Sequence, residues 1–241
     1  MTQKIPYYTF DALFNATIDE IKKLNIPKGS KVLDVPAGAG ALTQLLNEEM
    51  GFQTFASEYD ISKWKYPTIQ IQQADLGRNL PFESNTFDLT ICLEGLKHVT
   101  DLSTAVSELQ RVTKPGGYVL ITIPNDLNMQ NKFQFLWDSF VDTDWKGSLD
   151  PESEDSKNFF YMSSITQFPY LYYFFKKYKL EFVKSRASRH RGLSTALMYL
   201  FYPIIYLRTS KMCKSDLILK KELLSKTWLT GRHCVIICRK V

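Results

Sequence analysis

The 241-residue sequence predicts an α/β fold: a doubly wound, mostly parallel sheet with helices on both faces. Three observations predict it. Short β-branched or apolar runs, bounded by turn residues, alternate with helical stretches. A turn of small residues joins the first of these strands to the helix after it. The composition, 44% hydrophobic and 23% charged, suits one domain with a substantial core and excludes disorder, collagen and coiled coil.

The elements follow in order. Phe10, Leu13, Phe14, Ile18 and Ile21 recur at helical spacing between acids, which predicts a surface helix packing one face inward. The same stretch lacks the basic start, apolar run and small-residue cleavage site of a signal peptide, so a cytoplasmic protein is expected. Lys31–Val35 reads as the first strand and Ala41–Glu49 as its helix. Strands are expected at Thr54–Ser57, Thr68–Gln72 and Phe87–Leu93, with a helix over Leu102–Val112. Lys114-Pro-Gly-Gly117 reads as a turn into a fifth strand, Tyr118–Ile123. After Pro124 the alternation weakens. Residues 126–160 read as an inserted loop or lid, followed by a helix over Ile165–Tyr178 and strands at Glu181–Ala187 and His233–Arg239. Right-handed crossovers bring the strand C-terminal ends to one edge, where ligands bind.

Four cysteines (Cys92, Cys213, Cys234, Cys238) form no CxxC pair, and reduced core thiols are expected. No cluster of His, Cys and carboxylates has zinc spacing, so no metal is expected. Charge is split. From Lys184 to Val241, 13 Lys and Arg stand against Asp216 and Glu222, a balance of +11, which leaves 5 − 11 = −6 for residues 1–183. Such asymmetry marks either an acidic partner or a solvated basic face. Within that segment Leu193–Leu207 carries no charge and is flanked by Arg189, Arg191, Arg208 and Lys211. It falls short of the about 20 residues that span a bilayer, and Pro203 interrupts it. A buried helix, a lid over a pocket and a segment lying in a membrane interface all fit the pattern. Residues 184–241 are thus a candidate for peripheral contact with an anionic membrane, at its inner face.

The strongest chemical signal is the turn in Lys31-Val-Leu-Asp-Val-Pro-Ala-Gly-Ala-Gly-Ala-Leu-Thr43. Gly38 and Gly40 let the backbone pass close to a ligand, while Ala37 and Ala39 keep the wall low. Glu58 lies eighteen residues after Gly40, at the end of the second strand, where a carboxylate can accept both hydroxyls of a ribose. Asp60 competes for that role. A dinucleotide turn wants G-x-G-x-x-G, but Thr43 stands where the third glycine would be, and Asp34 would repel a diphosphate. An acid there suits a ligand carrying an ammonium and a sulfonium group.

On these residues the chain resembles the class I S-adenosylmethionine-dependent methyltransferases, of the methyltransferase type 11 kind. Asp34-Val-Pro-Ala-Gly-Ala-Gly40 looks like their first motif, Asp-x-Gly-x-Gly-x-Gly, with Pro36 in place of the first glycine. Ala74-Asp75-Leu76, Leu80–Asp88, Cys92–His98 and Leu102–Pro124 resemble later family segments, in the family's order, over residues 30–125. The resemblance implies a Rossmann-like seven-stranded sheet in the order 3-2-1-4-5-7-6 and a single methyltransferase domain over 1–241. Residues 30–125 would be its cofactor core. Residues 126–241 would supply an acceptor-side insertion, an apolar helix and the closing strands. It also implies S-adenosyl-L-methionine as donor, S-adenosyl-L-homocysteine as product, and Asp34, Pro36, Ala37, Gly38, Gly40, Glu58, Asp75, Leu76 and Leu93 at the donor.

A sulfonium methyl is already activated, so such an enzyme works mainly by holding a nucleophile in line and excluding water. A hydroxyl acceptor also needs a general base. Glu94 and His98, after the fourth strand, are the candidate catalytic residues. Glu94 competes with a role at the donor's methionine end, and His98 with a role in orienting the Glu94 loop. His190 and His233 are weaker candidates. Aromatic stretches at Phe133–Trp145, Phe159-Phe-Tyr161 and Phe168–Tyr173 are candidates for lining an acceptor pocket or filling the core. The basic, apolar C-terminal segment points to an anionic or amphiphilic acceptor, such as a lipid-linked or nucleotide-linked glycan; the expected reaction is methylation of a small-molecule, glycan or lipid-linked acceptor on oxygen. Nucleic acid ranks below these, because the basic residues flank an apolar run instead of forming a polar groove. A non-catalytic donor-binding scaffold or sensor with the same fold is the alternative.

Overall fold

The computed structural model describes residues 5–6, 11–138 and 166–241. Seven strands form one sheet in the order β3-β2-β1-β4-β5-β7-β6. In chain order the elements are α1 (Asp11–Lys23), β1 (Lys31–Asp34), α2 (Ala41–Glu48), β2 (Gln53–Glu58), β3 (Ile71–Gln73) and β4 (Phe87–Leu93). Then come α3 (Leu102–Val112), β5 (Thr113–Pro124), α4 (Met129–Asp138), α5 (Phe168–Lys177) and β6 (Leu180–Ala187). The chain closes with α6 (Gly192–Met212), α7 (Leu217–Leu223), α8 (Lys226–Thr230) and β7 (His233–Lys240). Strands β1 to β5 pair in parallel, and β7 lies antiparallel between β5 and β6.

Side chains alternate across the sheet because successive strand residues face opposite sides. Leu33, Val119, Ile121, Cys234, Ile236 and Cys238 pack on one face with Leu109 of α3 and Phe175 of α5. Val32, Leu120, Val235 and Ile237 pack on the other, with Leu13 and Ile21 of α1 and Leu46 of α2. Cys234 and Cys238, four apart, therefore share one buried face, and all four cysteines are buried free thiols. The parallel order carries the C-terminal ends of β1, β2, β4 and β5 to one edge. The reversal of β7 brings His233 there too, opposite Pro124, and β6 ends beside it with Ala187 opposite Cys234.

Several boundaries depart from the sequence reading. The third strand begins at Ile71, not Thr68, because residues 67–69 bend in a turn that starts at Pro67. Lys114–Gly117 is no free turn but a bulged part of β5, where the pairing with β4 shifts between Phe87 and Leu89. Gly116 takes φ +77° there, and a Cβ on Gly117 would sit 3.0 Å from the Asp88 carbonyl oxygen. The expected loop over 126–160 contains α4, and its remainder from 139 lies outside the described residues, as do Phe10, Ile165, Phe159–Tyr161 and the end of the Phe133–Trp145 stretch. In Leu193–Leu207 only Ser194 and Met198 are buried, so this is not a buried helix. None of the described helices is long and apolar enough to cross a membrane.

Candidate functional site

The site grows out of the turn between β1 and α2. The Val35 N–H donates to the Ile91 carbonyl at 2.9 Å and the Ala37 N–H to the Ser57 carbonyl at 2.9 Å, which lashes the turn to the strands on either side. Gly40 has φ +95°, and a Cβ there would lie 2.9 Å from the Trp64 ring and from Tyr66. Any larger residue would meet both obstacles. Gly38 has φ +55°, and a Cβ added to it would meet nothing within 4 Å, so the turn presents bare backbone to open space.

Two carboxylates face that turn. Asp34 is 1% exposed and accepts from the Thr43 hydroxyl, at the start of α2, at 2.7 Å. Burial pushes its carboxyl up to about 7; the Thr43 hydrogen bond opposes this, and the nearby Glu58 charge adds to it. Glu58, at the end of β2, accepts from the Gly38 N–H at 2.7 Å and from the Tyr59 N–H at 2.8 Å. Asp60 is aimed elsewhere. It accepts from the Ser62 N–H at 3.1 Å and hydroxyl at 2.6 Å, capping the short turn Ile61–Lys63, with its side chain half exposed. Ala74 donates to the Glu58 carbonyl at 3.0 Å, which sets Asp75 and Leu76 alongside. Asp75 accepts from the Gly77 N–H at 2.8 Å and pairs with Arg78, while Leu76 is buried.

At the end of β4, Leu93 is half-buried and Glu94 takes φ +58°. The Glu94 N–H donates to the Thr122 hydroxyl oxygen at 2.9 Å, that hydroxyl meets Glu94 Oε1 at 3.1 Å, and Lys97 Nζ meets Oε2 at 3.2 Å. A Cβ on Gly95 would collide with Pro36 Cδ, so the β4 end closes directly on the glycine turn. That requirement for glycine at 95 follows from Pro36 standing at the first motif position, and sequence reasoning missed it. His98 ends the short turn Leu96–His98 in an exposed position, its N–H donating to the Gly95 carbonyl at 3.0 Å.

The structure also brings in a residue that the sequence offered only weakly. His233 begins β7 at the same edge and is buried. Burial pushes its imidazole down, Glu94 opposes this, and Arg232, Lys97 and Arg191 reinforce it. No local pattern could place it near Glu94, because strand pairing across the sheet does so. The Asn125 side-chain amide ties the β5 end to the turn before β7, donating to the carbonyls of Trp228 at 3.0 Å and Gly231 at 2.9 Å. His190 bonds Thr230 at 2.7 Å in the adjoining turn. Among the described residues no group of three or more His, Cys, Asp or Glu is placed to hold a metal.

Residues 33–121 match the family model of a methyltransferase domain, from β1 through most of β5. The chain resembles demethylmenaquinone methyltransferase of Corynebacterium urealyticum, 36% identical over 103 residues that cover 42% of this chain and 44% of that protein. The Staphylococcus epidermidis protein of the same name is 36% identical over 106 residues, 40% of this chain and 44% of its own. The matches span less than half the length of these relatives. Whole-chain likeness is structural. A SAM-dependent methyltransferase of Archaeoglobus fulgidus superposes with TM-score 0.60 at 14% identity, over 95% of this chain and 94% of that one. Phosphoethanolamine N-methyltransferase 2 of Haemonchus contortus, solved with S-adenosyl-L-methionine, gives 0.56 at 17% identity over 94% and 52%. At such identities the superpositions show the fold, which extends past residue 121 to the closing strands.

Proposed function

We propose that this chain is an S-adenosylmethionine-dependent methyltransferase that transfers the methyl group in line to a small-molecule, glycan or lipid-linked acceptor, at an oxygen atom. The observation that carries the reading is the pairing of Glu58 with the Gly38 N–H beside the buried Asp34, on a turn whose Gly38 face is open. These residues fit a cationic nucleoside donor. Glu58 has oxygens at the end of β2 for a ribose, the Asp34 carboxyl, raised to about 7 by burial, can ionise opposite an ammonium or sulfonium, and bare glycine backbone admits close approach. Asp75 and the Leu76 N–H would hold the base, with Pro36, Ala37, Gly40 and Leu93 forming the walls. The relatives' names give an acceptor for those proteins, and the matches span less than half of either chain, so their acceptor is not carried over.

When bound, the donor supplies a methyl group already activated by its sulfonium charge. The protein's part is to hold, orient and keep dry. Thr122 and Lys97 fix the Glu94 carboxylate at the ends of β4 and β5, where it can take a proton from an acceptor hydroxyl. His98, one turn further on and exposed, is the second candidate base.

Calorimetric titration with S-adenosyl-L-methionine and its demethylated product tests the reading, and micromolar-range binding of both is expected. Glu58→Ala should weaken both by at least about tenfold, the order of one lost charge-assisted hydrogen bond, with an unchanged circular dichroism spectrum. Binding of neither compound by the wild-type protein would overturn the proposal.

A further inference from the structure

Helix α6 is apolar on both sides but packed on only one. At 100° per residue, Ser194, Met198, Phe201 and Ile205 form one stripe. Met198 lies in a cluster with Met129 of α4 and Leu229 of α8, and Phe201 meets Phe133 of α4 at 4.9 Å between ring centres. The opposite stripe is equally apolar and faces out. Leu193, Tyr199, Leu200, Ile204 and Leu207 are 58%, 70%, 70%, 60% and 68% exposed. A water-facing helix side is ordinarily polar, so an exposed stripe of this kind marks a surface with a partner.

Charge identifies the partner. Arg208, Lys211 and Lys214 are exposed around the C-terminal end of α6, and Lys220 of α7 lies over the Tyr206 ring at 5.2 Å. The two acids of this segment are turned inward. Asp216 accepts from Tyr172 and pairs with Lys176, and Glu222 bonds Ser185 and Trp228. The outward charge beside the apolar stripe is therefore positive. A second copy pairing through this same face would bring cations against cations. An anionic bilayer surface supplies both an apolar layer and negative charge.

We propose that the outer stripe of α6, from Leu193 to Leu207, lies in the interface of an anionic membrane, with Arg208, Lys211 and Lys214 at the headgroups. The helix rests on the bilayer without crossing it, because its inner stripe is committed to the protein core. Its N-terminal end is tied to the segments that follow β5 and precede β7: the Arg191 N–H donates to the Thr230 carbonyl at 2.8 Å and the Ser194 hydroxyl to Asn128 at 3.1 Å. A docked α6 sets the sheet edge carrying Pro124 and His233 at the membrane surface. Of the acceptor classes above, this favours the lipid-linked one, a step that rests on the methyltransferase reading.

Flotation on sucrose gradients tests the proposal, using vesicles of phosphatidylcholine alone and with phosphatidylglycerol. The wild-type protein should float with the anionic vesicles and largely stay behind with the neutral ones. The double variants Leu200→Asp/Ile204→Asp and Arg208→Glu/Lys211→Glu, all at exposed positions, should each reduce the floated fraction about tenfold. Wild-type protein left at the bottom with anionic vesicles would overturn the proposal. So would unchanged flotation of the Asp variant, or a wild-type dimer in sedimentation that the same variant splits. Donor calorimetry on the same preparations keeps the two readings apart. Flotation without donor binding sinks the enzyme and keeps the surface, and donor binding without flotation does the reverse.

Discussion

The stretch from β1 to β5 and the stretch from α5 to β7 share one sheet but are constrained in different ways. In the first, the site is made by backbone. The N–H of Gly38, the left-handed Gly40 and the close packing of Gly95 on Pro36 admit few residue choices. In the second, elements are joined by side-chain packing: Phe168 against Trp228 at 4.5 Å, Phe175 in the core, Asn125 bridging to the last turn. Apolar packing accepts many sequences of similar volume. Sequence likeness to known methyltransferases accordingly covers 33–121, while structural likeness runs over 95% of the chain at 14% identity. Donor chemistry is read from glycines and acids at fixed spacing. Acceptor chemistry has to be read from surfaces.

Two buried acids, Asp34 of the first region and Glu20 of α1, which pairs with cations of the second, stand in opposite states, and this gives the largest expected effect. Asp34 has its carboxyl raised to about 7 from 3.8, so folding favours its protonated form. Its stabilising contribution is complete below about pH 4 and is lost as pH rises through 7. At about 1.4 kcal/mol per pKa unit the ceiling is about 4 kcal/mol. Asp34→Asn should therefore be more stable than wild type in urea melts near pH 8 and nearly equal near pH 4. A stability difference that does not change with pH would break the contrast.

Glu20 is the counterpart. It reaches from α1 to Lys184 and Arg186 of β6 and also holds Lys23, with its side chain 3% exposed. Burial pushes its carboxyl up, but Lys184, Lys23 and Arg186 outweigh burial and hold it at about 2. A lowered carboxyl stabilises the fold above its ordinary value of 4.5, and that support is lost as pH falls toward 2. Glu20→Gln removes the charge that three partly exposed cations share and should cost about 1–2 kcal/mol near pH 7, with the loss shrinking in acid. An equal loss near pH 3 would mean that packing, and not charge, joins α1 to β6.

How much of this was legible in the sequence depends on distance along the chain. The glycine turn and the succession of strands and helices from β1 to β5 are readable because each is local: a β-run, a turn, a helix. The resemblance supplied the antiparallel closing strands, and the sheet order agrees with it. The bulge at Lys114–Gly117 was not readable as strand, since Pro and two glycines mark turns wherever they occur. The proximity of His233 to Glu94 depends on β7 lying beside β5, which no window of sequence contains. The exposure of α6 was hidden for another reason. Fifteen uncharged residues look buried, and only packing against α4 and α8 on a single side shows that half of that surface faces out.

The smallest expected effect is the one that sharpens the donor site most. Glu58 and Asp60 lie two residues apart, and alternation along an extended strand would aim both to the same side. The chain stops being a strand after Glu58, and that aims the two side chains differently. Glu58 still belongs to β2 and meets the glycine turn, whereas Asp60 has already bent away to cap Ile61–Lys63. Hydrogen bonds from Ser62 hold the half-exposed Asp60 carboxyl below its ordinary range. Asp60→Ala should thus leave donor affinity within about twofold of wild type, because it removes only a local turn cap. A loss as large as that expected for Glu58→Ala would move the ribose contact to Asp60, and the turn after β2 would then have to rearrange for Asp60 to reach it.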